Sequence, residues 1–212
     1  MFLALFQQNP AAAVALLLGL VAGVVVHEAA HAYSAYLLGD DTAYRAGRVT
    51  LNPASHLDLL GSMMFLMAGF GWGKPTPVMT SKLRGGVLGP VAVAAAGPAS
   101  NLMIVAVCAA LYLLPAFQGG YLQIVVLLVA FGNALLFVFN LIPIPPLDGA
   151  KVLYPLLPRS MGGFVEFMNQ YGPAILLVLV LVSVLFESIS PLGVILSLVR
   201  PLLNLFGIPT PI

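Results

Sequence analysis

Residues 11–38 read AAAVALLLGLVAGVVVHEAAHAYSAYLL, and this stretch decides the fold. It is apolar almost throughout and long enough to cross a bilayer core of about 30 Å, which takes about 20 residues of helix. Its late half carries three ionisable groups, His27, Glu28 and His31. Each such group near the bilayer centre costs roughly 2.5–3.5 kcal/mol on insertion scales. Three of them within five residues of an oily helix require compensation. On a helix, His27 and His31 stand one turn apart on one face, close enough to chelate a single metal ion. Glu28 then lies beside the metal without being a ligand, placed to take a proton from water. Chance is the competing reading in a chain with three histidines, and the cost of burying them argues against it.

The rest of the chain fits a membrane. Of its 212 residues 61% are hydrophobic and only 7% are charged, with a mean hydropathy of +1.07. Soluble domains carry about 25% charged residues, so a water-soluble globule is excluded. Alternating segments of about 10 residues, the mark of a membrane barrel, are missing. A net charge of +1 gives no reason to expect a nucleic-acid partner, and the single cysteine, Cys108, permits no intrachain disulfide. The first residues lack the basic start of a cleaved signal peptide, so the first apolar stretch is expected to be a retained helix.

Working outward, 39–41 (Gly-Asp-Asp) stops the first span. Residues 42–56 turn polar in a strand-like pattern, and a short hairpin or extended piece is expected there. Residues 57–70 are apolar but too short to cross, so they should dip in and return. The dense breakers of 71–77 (GWGKPTP) end that excursion. Further spans are expected at about 87–114 (kinked at Gly97-Pro98), 121–142 and 164–186. A weaker stretch at 189–206, broken by Pro191, Arg200 and Pro201, should lie on the membrane rather than cross it. The expectation is an all-α polytopic membrane protein of four to five transmembrane helices, with a re-entrant, short β-like segment near the site. It forms one domain over 1–212, with a core at about 11–158 and C-terminal helices at about 164–207.

Charge placement agrees. With 57–70 re-entrant, Arg45, Arg48, Lys74, Lys82, Arg84, Lys151 and Arg159 share one face, leaving only Arg200 elsewhere. The positive-inside rule makes that face cytoplasmic. At ~1.5 Å per residue, His27 lies roughly 16 Å below the end of its helix at Leu38. The metal is therefore expected inside the membrane, displaced toward the cytoplasmic side.

A catalytic zinc site usually has three protein ligands plus water. By residue type the third candidates are His56, Asp58, Asp148, Glu166 and Glu187. Asp148 stands out because it follows the proline-stiffened run Pro143, Pro145, Pro146 and precedes Gly149, at the cytoplasmic end of its span.

The pair formed by 27–31 (HEAAH) and 140–149 (NLIPIPPLDG) resembles the two sequence signatures of the site-2 proteases, H-E-x-x-H and N-x-x-P-x-x-x-x-D-G. Residues 97–101 (GPASN) are similar to a third element of that family, as are Leu51-Asn52-Pro53, His56, Gly61 and the 71–77 loop. The resemblance runs over about 23–158, and without a PDZ-like insertion it is to the compact prokaryotic branch. It implies one Zn²⁺ per chain held by His27, His31 and Asp148, with Glu28 as general base and Asn140 helping to bind substrate or stabilise the transition state. By chemistry alone, Asn140 reads equally as a helix-ending residue that satisfies its own last turn. His56 and Asn101 are possible accessory or substrate-binding residues, His56 as a transient ligand, gate or orienting partner. The implied function is intramembrane proteolysis of transmembrane or membrane-associated substrates, in the plasma (inner) membrane of a prokaryote. The alternatives are a protease with a downstream glutamate as third ligand, and a non-proteolytic membrane metal-binding or transport protein.

Overall fold

The structure, a computed structural model, describes residues 6–68, 71–186 and 190–210. Asn9 starts the first long helix: its side chain accepts the Ala12 N–H at 3.0 Å, and Pro10 occupies the first helical position. This helix, α1, runs Pro10–Leu37. There follow the one-turn α2 (Thr42–Arg45), the short α3 (Leu59–Ala68), α4 (Leu88–Tyr112) and α5 (Gly120–Asn140). The chain closes with α6 (Asp148–Leu153), α7 (Gly162–Leu185), α8 (Pro191–Leu196) and α9 (Val199–Leu205). Among the described residues, four helical segments are long and apolar enough to cross a membrane: Pro10–Leu37, Leu88–Tyr112, Gly120–Asn140 and Arg159–Ser183. The protein is an all-α polytopic membrane protein.

α1, α4 and α5 pack on one another and form the centre of the molecule. Small residues let them approach, as expected where lipid removes the hydrophobic drive for helix association. A Cβ on Gly19 would stand 3.0 Å from the Val129 backbone, and one on Gly132 would stand 3.1 Å from Leu20. Ala13, Ala130 and Ala134 are fully buried beside them. α7 joins this centre through Gly172, packed on the Pro145 ring, and through Leu176 against Ile142 and Leu147.

The segment starting at residue 57 does turn back. α3 is 10 residues long, about 15 Å of helix and half a bilayer core. Leu57 before it and Gly73 after it form an antiparallel bridge, so the segment leaves and returns at one place. Asp58 caps α3 by accepting the Gly61 N–H at 2.8 Å. A Cβ on Gly61 would collide with the Trp72 backbone, which fixes how closely the returning chain follows.

No strand or hairpin forms within 42–56. Thr42–Arg45 is helical and Pro53–Ser55 is a 3₁₀ turn. The reason is local: Asp40 accepts the Thr42 N–H and hydroxyl at 3.0 and 2.5 Å, and Asp41 pairs with Arg45 four residues on, which favours a helical turn. Among the described residues, extended pairing is confined to the Leu57–Gly73 bridge. In the C-terminal stretch, α8 and α9 are too short to cross. α9 instead buries Val199 and Leu203 against α5.

Candidate metal centre

His27 and His31 lie on the face of α1 turned toward α4 and α6. Their Nε2 atoms are 3.1 Å apart, and Asp148 Oδ2 stands 2.9 Å from the first and 3.0 Å from the second. All three residues are buried. Among the described residues these are the group whose donor atoms converge within 4.8 Å as a metal site requires.

The second nitrogen of each ring sets what faces the centre. His31 Nδ1 lies 2.7 Å from the Val93 carbonyl, which can only accept, so that nitrogen carries the proton. His27 Nδ1 lies 2.7 Å from Asn101 Oδ1. The Asn101 amide donates instead to Gly23 O at 3.2 Å and to Asn133 Oδ1 at 3.0 Å, so its oxygen must face His27. Asn133 in turn donates to Val129 O at 2.9 Å. Both Nε2 atoms therefore present lone pairs toward one another and toward a carboxylate. Three acceptors meet with no proton assigned between them, a donor set that fits a cation and, by its two nitrogens and one oxygen, zinc.

α4 and α6 are shaped to reach this centre. A Cβ on Gly97 would stand 2.6 Å from His27 Nε2 and closer still to His31. Only glycine lets the α4 backbone come this near. Asp148 lies in the first turn of α6, where the helix N-terminus favours a carboxylate. Gly149 follows because a Cβ there would strike the carbonyls of Leu141 and Ile142, at the end of α5. The second Asp148 oxygen accepts from Lys151 Nζ at 2.9 Å.

Glu28 lies beside the cluster. With His31, Asp148, Lys151 and Thr76 it lines a cavity of about 680 Å³. Thr76 donates to Glu28 Oε2 through its N–H (3.0 Å) and its hydroxyl (2.7 Å), and buried Arg48 stands 4.0 Å from the same oxygen. Arg48 also donates to Lys74 O.

Not every candidate from the sequence gathers here. Asn101 does, as the partner of His27. His56 is fully buried elsewhere, its Nε2 donating to Thr50 O at 2.8 Å. Asn140 ends α5 with its amide donating to Leu136 O at 2.9 Å, the bond of a residue satisfying its own last turn. Glu166 is exposed on α7 and stands apart from the histidines, and Asp58 is the cap of α3. Glu187 lies outside the described residues. Sequence reading passed over Asn133, Thr76, Arg48 and Lys151. The usable signal was strongest for Asn133, an amide deep in an apolar span whose other amides, Gln123 and Asn140, lie near its start and at its end.

Comparison with known proteins bears on this geometry. The chain is 37% identical over 187 residues to "Putative zinc metalloprotease YwhC" of Bacillus subtilis (strain 168), covering 84% of this chain and 81% of the relative. It is also 33% identical over 178 residues to "Putative zinc metalloprotease Rip2" of Mycobacterium tuberculosis, and 29% identical over 188 residues to the protein of the same name from Mycolicibacterium smegmatis. Each of those two matches spans 79% of this chain and 66% of the relative. No protein-family model and no solved structure matches the chain. A buried His-His-Asp cluster beside a glutamate, in a polytopic membrane protein with relatives of this kind, identifies the chain as a member of the site-2 protease family of zinc metalloproteases.

Proposed function

We propose that the protein is an intramembrane zinc metalloprotease that hydrolyses peptide bonds of transmembrane or membrane-associated proteins. The observation that carries this reading is the placement of Glu28 on the wall of the same cavity that His31 and Asp148 line. One zinc ion would be held by His27 Nε2, His31 Nε2 and Asp148 Oδ2, and when bound it would supply Lewis-acid chemistry, lowering the pKa of water and polarising a scissile carbonyl.

The remaining work falls to side chains of this chain. Glu28 removes a proton from the attacking water and delivers it to the leaving amide nitrogen. Asn101 and the Val93 carbonyl hold the two imidazoles in the tautomer that leaves Nε2 free to bind. A substrate helix has its carbonyls tied up in hydrogen bonds to amides four residues on, so it must unwind before attack. The non-helical run through Pro75, Thr76 and Val78 lines the cavity, and because Pro75 and Pro77 have no N–H and that of Thr76 is bonded to Glu28, it is the carbonyls of this run that an unwound segment could pair with. For Asn140 to contact substrate, its amide must leave Leu136 O. His56, bonded to Thr50 O, serves better as an anchor of the 50–56 turn than as a ligand. The resemblance to the compact prokaryotic branch favours a prokaryotic plasma membrane, and the basic residues expected to share one face favour a cavity nearer the cytoplasmic side.

The test is cleavage of a transmembrane substrate by the purified protein in liposomes. Glu28→Gln should keep its zinc and lose cleavage by several orders of magnitude. Cleavage at the parent's rate by a zinc-loaded Glu28→Gln protein would overturn the proposal.

A further inference from the structure

We propose that Thr76 is the positioning residue of Glu28: it holds one carboxylate oxygen so that the other is presented to the reacting water. The inference rests on the reading of Glu28 as general base and assigns that base its partner.

Both hydrogen bonds to the Glu28 carboxylate come from Thr76 and fall on one oxygen, Oε2. The same hydroxyl lies 3.1 Å from the Glu28 backbone carbonyl, so the threonine sits across the whole glutamate rather than at its tip. Arg48 adds a positive charge 4.0 Å from Oε2. A glutamate side chain has several free torsions, and an anchored Oε2 removes most of that freedom. Oε1 is left as the oxygen that can accept a proton.

The loop is built to keep Thr76 still. Pro75 and Pro77 flank it; the following proline confines Thr76 to extended backbone, and the preceding one fixes its own φ. Lys74 is tied on both sides, its N–H to His56 O at 2.7 Å and its carbonyl to Arg48. Beyond the second proline, the Met79 N–H reaches Asp40 at 2.6 Å. A buried arginine, a buried histidine backbone and a buried aspartate thus brace one short run of chain, and Thr76 is the part of that run that meets Glu28.

The test compares Thr76→Val with Thr76→Ser. Valine keeps the shape and the backbone N–H and removes only the hydroxyl. A hydrogen bond to a charged group supports a loss of about tenfold to a hundredfold in kcat for Thr76→Val. KM should stay within about twofold, because the hydroxyl touches the base and not the substrate. Zinc content should match the parent, and Thr76→Ser should recover most of the lost rate. In a Glu28→Gln background Thr76→Val should cause no further loss. Parent-like kcat in Thr76→Val, a serine variant as slow as the valine one, or loss of zinc would overturn the positioning role. So would a rise in kcat, which would make the loop a latch over the base. If Glu28→Gln itself cleaves at the parent's rate, the underlying assignment of the base fails instead.

Discussion

Gly97 of α4 faces the Nε2 atoms of His27 and His31 on α1 so closely that a methyl group in its place would stand 2.6 Å from His27 Nε2 and nearer still to His31. The glycine is therefore part of the candidate metal centre although it offers no ligand. Overpacking of this kind typically costs about 1–3 kcal/mol. Gly97→Ala should weaken zinc binding by roughly tenfold to a hundredfold, measured by competition with a chromogenic chelator. An alanine variant that binds zinc as tightly as the parent would show that the helices can move apart freely.

The chain of amides behind His27 predicts an order of effects. Asn101→Leu removes the acceptor on Nδ1 directly, whereas Asn133→Leu removes one of two groups that orient Asn101. Outer partners of a metal ligand are typically worth about tenfold to a hundredfold in affinity. Asn101→Leu should fall in that range and Asn133→Leu should be milder, in the same chelator competition. The reverse order would mean that Asn133 acts through helix packing rather than through Asn101.

Lys151 provides a contrast. It bonds the outer oxygen of Asp148, but its side chain is 60% exposed. Exposed ion pairs contribute about 0–1 kcal/mol. Lys151→Met should therefore change zinc affinity by less than about fivefold, while leaving the fold intact by circular dichroism. A larger change would show that the lysine holds Asp148 in place.

Asp40 links stability to pH. Burial pushes its carboxyl up, but bonds from the Thr42 hydroxyl, the Met79 N–H and the Thr42 N–H, with Lys82 nearby, outweigh burial and hold it below the usual carboxylate range. A carboxyl depressed by folding contributes stability above its unfolded pKa, about 3.9, and loses that contribution as pH falls through the lower folded value. Thermal scans in detergent should show the parent losing stability as pH drops below about 4. Asp40→Asn should be destabilised by roughly 1–3 kcal/mol at neutral pH, with a flatter acid dependence. Equal acid sensitivity in the variant would assign the effect to other carboxyls.

What the sequence disclosed follows from the range of each interaction. His27 and His31 were legible because four-residue spacing on a helix is a local rule, and because charges in an apolar span demand an explanation. Asp148 was legible as the bend after a proline run, and Gly149 proves to be required by the carbonyls it faces. The re-entrant segment was legible from its length and from the charge pattern on either side. Thr76 and Arg48 were not, because their partner is Glu28, far away in the chain and joined to them only when the loop folds back. The strand-like reading of 42–56 failed for a local reason. A polar, strand-like pattern suggested extension, but the Asp40 carboxylate captures the Thr42 N–H and starts a helical turn.

The proposed function requires that His27, His31 and Asp148 together hold one zinc ion. Its most direct test is zinc content of the purified, detergent-solubilised protein by atomic emission, comparing the parent with Asp148→Ala and Glu28→Gln. The expected result is about one zinc per chain in the parent and in Glu28→Gln, as for a site with three protein ligands, and little or none in Asp148→Ala. Full zinc in Asp148→Ala would contradict it and would remove Asp148 from the metal site.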